Sequence, residues 1–418
     1  MESSEQFHIF AGSETGLLKG INLSKKSWCN VNRPSNEDRQ TILKTRQIEA
    51  LCWQNRTEEQ LCLGLTNQTV FVYDVKSRDF MNTFQFSSGK EDDTLVSLEK
   101  YEEDYLVATQ SGLVKLWTGD EEPECKLTIN AGLTLDKLRQ NPGEPHLIAT
   151  GGKQNDLKLW NLNAPDEPIF RAKNVRHDFL NLEVPIWIMD MAFLPDSKKI
   201  VTCTGHHQIR IYDPEKQRRP VMDIEWDEYP IKSLSLRANG YHAFVGNARG
   251  EMAMVDLRGK AYIVQKYKGG AGSIRAIQCH PTDDIVASVG LDRYLRIHDI
   301  NSRKLLQKFY LKSKLNCLLV SSTVDIADSV PGTMKRDKNA NKPEVEEDMV
   351  VSGDDDSGDG DEDVWDKIDT VADKGAKKRK VPVETGEKKP KVKKVKKKKK
   401  KTAKQDSAGD NKNGNDSD

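Results

Sequence analysis

The sequence predicts an all-β protein, a seven-bladed β-propeller followed by a disordered acidic and basic C-terminal tail. Three observations carry this. A strand ending a tight hairpin recurs through positions 21, 73, 117, 160, 212, 255 and 298, at spacings of 52, 44, 43, 52, 43 and 43 residues. A further apolar strand precedes each hairpin after the first. Beyond Val320 the apolar periodicity ends, and two blocks of opposite charge follow.

The hairpins read GSETGLLKGINL, GLTNQTVFVYDV, ATQSGLVKLWTG, ATGGKQNDLKLWNL, CTGHHQIRIYDP, VGNARGEMAMVDL and SVGLDRYLRIHDI. Gly and Asn at their turns permit the positive φ that tight hairpins need. A period of about 40–45 residues, closing on an aromatic or Asp-tipped strand, is that of WD-repeat blades. The repeats are degenerate. Trp117 and Trp160 carry the Trp of the usual dipeptide without its Asp, while Asp74, Asp213, Asp256 and Asp299 hold the Asp position. Asp156 and Asp292 are expected in hairpin turns, as scaffolding carboxylates.

The preceding strands are IEALCW, DTLVSLEKY, LTLDKLRQ, PIWIMDMAF, PIKSLSLRA and SIRAIQCHP. Their apolar runs suit inner strands covered on both faces. Phe7–Leu23 supplies a hairpin without preceding strands, and Lys304–Leu311 and Lys314–Val320 supply two strands without a hairpin. Joined, these make one four-stranded blade that shuts the ring and removes open sheet edges. Residues 1–322 are therefore expected to form the propeller and 323–418 the tail.

Two intervals are longer than the rest. Trp28–Gln40 reads as a polar surface loop. Phe170–Trp187 mixes Arg171, Lys173, Asn174, Arg176 and His177 with Phe179, Leu180 and Leu182. Such an insertion either binds a partner or packs over its own blade.

Lys+Arg and Asp+Glu number 65 each, so the net charge is zero. That balance hides a tail with 13 acids and one Lys over 344–369 and 16 basic residues and two Glu over 377–404. Like-charge blocks repel internally and stay unfolded. Trp365 and Ile368, in the acidic block, would share a helix face as a short docking motif, or Trp365 is incidental to an unfolded tail. Lys377, Lys378, Arg379 and Lys380 have the composition of a nuclear import signal. With Lys393, Lys394, Lys396, Lys397, Lys398, Lys399, Lys400 and Lys401, within a Lys-rich stretch over 374–404, they would tether RNA through its phosphates without reading bases.

Seven cysteines lie scattered without CxxC spacing, as expected of reduced thiols packed in an intracellular core. No run approaches the roughly 18 apolar residues a membrane helix requires. The phosphate-binding, zinc-protease and nucleophile-elbow motifs are absent. Adjacent His206 and His207 lie in a hairpin turn, where no Cys or carboxylate cluster completes a metal site. No cofactor is expected, and no polar catalytic cluster at the central channel is evident.

The segments EPIFRAKNVRHDFLNLEVPIW, VTCTGHHQIRIYDP, RRPV and YLKSKLNCLL resemble the nucleolar WD-repeat family of 60S ribosomal subunit assembly, the NOP-seven-associated family. The likeness covers about residues 7–320. It implies a non-enzymatic scaffold in early nucleolar pre-60S particles, supporting rRNA processing. Its implied partners are assembly factors and ribosomal RNA, with release by a nuclear AAA ATPase and a monomeric state within the larger complex. Mapped here, the candidate interface is the Arg171–Trp187 loop and the hairpin of His206, His207 and Arg210, with Arg218, Arg219 and Arg275 secondary. A competing reading is a nuclear adaptor for chromatin or ubiquitin-ligase complexes, which would use the same platform for peptides.

Overall fold

The computed structural model describes residues 6–32, 46–89, 93–119, 122–177 and 180–322. Among them the regular elements are β-strands, arranged as seven four-stranded antiparallel sheets. Six sheets take their strands consecutively. In one of these, Ile48–Trp53, Gln60–Leu65, Thr69–Asp74 and Phe80–Gln85 pair in that order.

The seventh sheet joins the two ends of the ring. Leu315–Val320 pairs with Ile9–Ser13, followed by Leu18–Asn22 and Ser27–Asn30. Its composition corrects the expectation in two ways. Leu305–Tyr310 is the outer strand of the preceding blade, paired with Tyr294–Asp299. Its place in the closing blade is taken by Ser27–Asn30, so Trp28 belongs to a strand rather than a loop. Within the six consecutive blades each strand after the first folds back on its predecessor. The chain order therefore fixes the succession of strands but not where one sheet ends.

The innermost strands are Leu315–Val320, Ile48–Trp53, Leu95–Tyr101, Leu135–Gln140, Ile188–Phe193, Ile231–Leu236 and Ile274–Cys279, and they pack successively around a central channel. They are not covered on both faces as their apolar runs suggested. Ile48–Trp53 alternates buried and half-buried residues, whereas second strands such as Leu147–Gly152 and Ile285–Gly290 are buried throughout. An innermost strand has one edge on the open channel, while a second strand lies between two others and two neighbouring blades. The hydrophobic core occupies the seams. In the closing seam, Ile9, Ala11 and Ile21 pack with Ile285, Ala287, Leu295 and Ile297 of the preceding blade.

The recurrent Asp at the end of the third strand turns the chain. Asp74 accepts from the amides of Lys76 and Ser77 at 2.9 and 2.7 Å. Asp213, Asp256 and Asp299 accept from Glu215, Arg258 and Ser302 in the same way. A carboxylate two or three residues before an amide stabilises such a turn without requiring an aromatic neighbour. Asp292 sits in its hairpin as expected, bonding the amides of Ala271 and Tyr294 and pairing with Arg296. Asp156 does not; it lies within Asn155–Asn161, because a bulge between Thr150 and Gly152 shifts the turn to Lys153 and Gln154. Cys52, Cys62, Cys203, Cys279 and Cys317 are buried, while Cys29 and Cys125, on outer strands, are exposed.

His298 gives the fold a defined acid sensitivity. It is buried in Tyr294–Asp299 with its ring 5.6 Å from that of Tyr267. Burial lowers its pKa from 6.5 to about 4. Between those values the unfolded chain holds a proton that the folded chain does not. Stability should therefore fall as pH drops from 6.5 towards 4, by about 3 kcal/mol at most from this group. Urea titrations across that range should show a shallower acid limb for His298→Leu. An unchanged limb would rule His298 out as the source.

Candidate functional site at the channel mouth and its flanking loop

The channel opens at the end where the innermost strands begin. Each begins with the same irregularity, a register shift between its first and third residues. The residue passed over is Glu49, Val96, Asp136, Met189, Lys232, Arg275 or Asn316. A bulge re-aims the side chain it carries. Repeated around the ring, it places all seven of these residues on one opening of about 510 Å³.

Below this ring, side chains of one blade bond those of the next. The Ser97 hydroxyl accepts from the Leu138 amide at 3.0 Å, and Ser235 accepts from Cys279 at 3.0 Å. Gln278 Oε1 accepts from Val320 N at 2.9 Å, and Asn316 Nδ2 donates to Glu49 Oε1 at 3.1 Å. Asp190 is the hub. Its Oδ1 receives Arg139 Nη2 at 3.1 Å and its Oδ2 receives the Leu234 amide at 3.1 Å. Arg139 also pairs with Glu99 at 3.7 Å. Six of the seven seams thus carry a polar link beside the channel. Burial holds the Glu49 and Glu99 carboxyls above the ordinary carboxylate range and Lys137 below the ordinary lysine range.

The sequence reading looked for a catalytic cluster at the channel and did not foresee this bracing set. Its acids and bases come from strands about 40 residues apart, so nothing local announces them. A signal was present in the second residue of each innermost strand, polar in IEALCW, LDKLRQ, IKSLSL, IRAIQC and LNCLLV. Aligning blades on that strand rather than on the hairpin would have shown it. Arg139 engages both Asp190 and Glu99, and backbone amides engage Asp190 as well, an arrangement that braces the ring. Among the described residues no group of three or more His, Cys, Asp or Glu could hold a metal ion.

The inserted loop crosses from its own blade to the next. Phe170–Arg171 forms a two-residue outer strand against Lys158 and Leu159. Arg218 Nε donates to the Arg171 carbonyl at 2.8 Å, and the Lys173 amide donates to the Arg218 carbonyl at 2.8 Å. Arg219 Nε donates to the Asn174 carbonyl at 3.1 Å. Asn174 Nδ2 donates to the Val184 carbonyl at 2.7 Å, closing the loop on itself. His177 Nδ1 bonds Asn181 Oδ1 at 3.1 Å. Arg218 and Arg219 therefore fasten the loop to the strand Gln217–Glu225. Arg171, Lys173, Arg176 and His177 face solvent, as do Leu180 and Leu182, which are 63% and 59% exposed. Phe179 lies outside the described residues, as do the whole tail, its basic candidates and Trp365.

Trp187 ends the loop at the mouth. Its indole Nε1 donates to Asp136 Oδ2 at 2.9 Å. Lys153 and Lys232 ammonium groups stand 5.0 and 4.8 Å from its ring, and the His206 ring is 6.2 Å away. A Cβ at Gly205 would lie 2.5 Å from the indole, so only glycine admits the ring there. Burial, then the positive charge of His207, Arg210 and Lys153, lowers the His206 pKa.

The structure thus divides the sequence candidates into two groups. Trp187, His206 and Arg275 meet at the mouth, with His207 in the adjoining turn. Arg171, Lys173, Asn174, Arg176, His177, Arg218 and Arg219 belong to the outer edge. Arg275, a secondary candidate, lies at the channel because its strand, Ile274–Cys279, is innermost. Arg210 is corrected from an interface candidate to an interior one. It is 2% exposed and its Nε meets Asp223 Oδ2 at 3.2 Å, since the outer strand Gln217–Glu225 covers it.

The family pattern described as WD domain, G-beta repeat, matches residues 184–213 and 262–299. WD repeat-containing protein 74 of Bos taurus is 42% identical over 320 residues, covering 75% of this chain and 81% of its own length. The Homo sapiens protein of that name is 41% identical over 319 residues, with the same coverage. Ribosome biogenesis protein NSA1 of Meyerozyma guilliermondii is 30% identical over 248 residues, covering 51% of this chain and 62% of its own.

Proposed function

Given that this chain belongs to the WD-repeat family of ribosome biogenesis proteins, we propose that it is a non-catalytic scaffold of early nucleolar pre-60S particles that supports rRNA processing. The observation that carries this reading is the closed ring itself. Asp190, Arg139 and Glu99 at the channel are engaged in bracing one blade against the next, while the rim, the Arg171–Trp187 loop and the mouth are presented outward. Rigid rings with variable loops serve as platforms on which several partners meet. The name of the yeast relative, ribosome biogenesis protein, gives the platform its setting.

In this reading residues 1–322 form the platform and 323–418 the tail. The partners are assembly factors, a nuclear AAA ATPase that releases the protein, and RNA held by the basic tail. The protein would act as one copy within the particle, in the nucleus and nucleolus. A lysine run binds phosphates by displacing counterions, so its affinity falls steeply with salt. Removing residues 374–404 should weaken RNA binding and flatten its salt dependence while the propeller melts as before. Filter binding at several salt concentrations measures both, and an unchanged slope would remove the tail from RNA contact. Affinity purification from nucleolar extract tests the whole reading. Pre-60S RNA should accompany the full-length chain, and recovery with chromatin or ubiquitin-ligase subunits and no ribosomal RNA would reject it.

A further inference from the structure

We propose that the channel mouth is a receptor for a carboxylate side chain, a Glu or Asp presented by an extended segment of a protein partner. The inference stands on the mouth alone and does not depend on the setting in ribosome assembly.

Lys137, Lys232 and Arg275 line one opening from three innermost strands. Among the described residues none of the three has a carboxylate within salt-bridge distance. The acids that share the opening are already engaged. Glu49 accepts from Asn316 at 3.1 Å, Asp136 accepts from the Trp187 indole at 2.9 Å, and Glu14 pairs with Lys314 at 3.2 Å. The Lys232 ammonium donates to the Met189 sulfur at 3.7 Å, a weak acceptor.

The cations also disfavour one another. Burial and then Arg275 lower the pKa of Lys232 against the opposing pull of Asp136, and burial and then Arg139 lower that of Lys137 against Asp190 and Glu99. An incoming anion would relieve both. Unpaired like charges gathered in a recess, beside acids that have other partners, are complementary to an anion that the protein itself does not supply.

The walls indicate what carries that anion. Val96, Met189 and Leu291 give the opening apolar sides, and Trp187 adds an aromatic face between two lysines. An acidic side chain brings methylenes for such walls and a carboxylate for the floor. The cations sit on the innermost strands, inside the circle of hairpins. A single side chain can enter there, whereas an RNA backbone presents its phosphates on a wide, stiff ribbon. Protein is therefore favoured over nucleic acid.

The test uses the full-length chain with ¹³C-methyl methionine, so that Met189 reports from the opening and Met81 and Met222, on outer strands, report on folding. The probes are the peptide acetyl-Gly-Ser-Ala-Glu-Ala-Ser-Gly-amide, its Gln counterpart, and hexauridylate. The Glu peptide should move the Met189 resonance saturably, and the Gln peptide should bind at least about fivefold more weakly, since it lacks the charge. K232M combined with R275M should abolish the shift while leaving Met81 and Met222 in place. K137M is a second variant in case the double substitution disturbs the fold. It should weaken the Glu peptide by about tenfold with a Tm equal to or above that of the parent, because it removes a half-buried cation with no carboxylate within salt-bridge distance. Equal shifts with the Glu and Gln peptides, or a shift that survives K232M/R275M, would overturn the proposal. So would a fall in Tm for K137M without loss of affinity, which marks a structural strut. A Met189 shift with hexauridylate but not with the Glu peptide would also overturn it, assigning the site to phosphate.

Discussion

Deleting residues 312–322 abolishes the cooperative thermal transition and leaves the protein prone to aggregation. The deletion removes the innermost strand of the closing blade, which pairs Val320, Leu319, Leu318, Cys317 and Leu315 with Ile9 through Ser13. Those five side chains are buried. At about 2 kcal/mol each, their transfer to water costs roughly 10 kcal/mol, comparable with the whole stability of a domain. The loss spreads to both flanking seams, since Val320 is bonded by Gln278 and Asn316 bonds Glu49. It also frees the edge of Ile9–Ser13, a fully buried strand whose exposed amides and carbonyls would template association. Calorimetry with light scattering decides the matter, and a truncated protein that melts as one sharp, soluble transition would show that the ring does not depend on this closure.

Asp190→Ala should be the most damaging single change at the channel, at about 3 kcal/mol. One carboxylate joins three blades: Arg139 lies on one side, the Leu234 amide on the other, and the Met191 amide on its own strand at 2.9 Å. Alanine leaves a guanidinium and two amides without their acceptor in a largely buried place. Because Arg139 is partly exposed to channel water, the cost should fall at the lower end of that for a broken buried pair. Arg139→Met added to Asp190→Ala should recover part of the loss by removing a charge left with only the longer Glu99 contact, and the double-mutant cycle in urea measures the coupling. If Asp190→Ala unfolds within about 0.5 kcal/mol of the parent, the seams are held by apolar packing alone.

Much of the fold was legible because a blade repeats its physics. The Asp at each beat must cap a turn, and the strand before it must bury its side chains, so both leave a trace every forty or so residues. What misled was always non-local. Leu305–Tyr310 and Ser27–Asn30 are ordinary outer strands, and nothing in them says which sheet they join. Arg210 looks like a surface base in HHQIRIYDP, yet it is sealed under Gln217–Glu225 and answered by Asp223. Arg218 and Arg219 read as secondary interface candidates, and their Nε atoms hold the inserted loop.

The sequence by itself determined seven blades, the chain order within them and the caps that turn them, because these follow from short-range periodicity and turn chemistry. Only the tertiary structure decided where the ring is sewn shut, which charges brace its seams, and that Lys137, Lys232 and Arg275 meet at one opening. Those outcomes arise when curvature brings residues from separate blades into contact around a common axis. The electrostatic and packing energies that select them exist only between groups far apart along the chain.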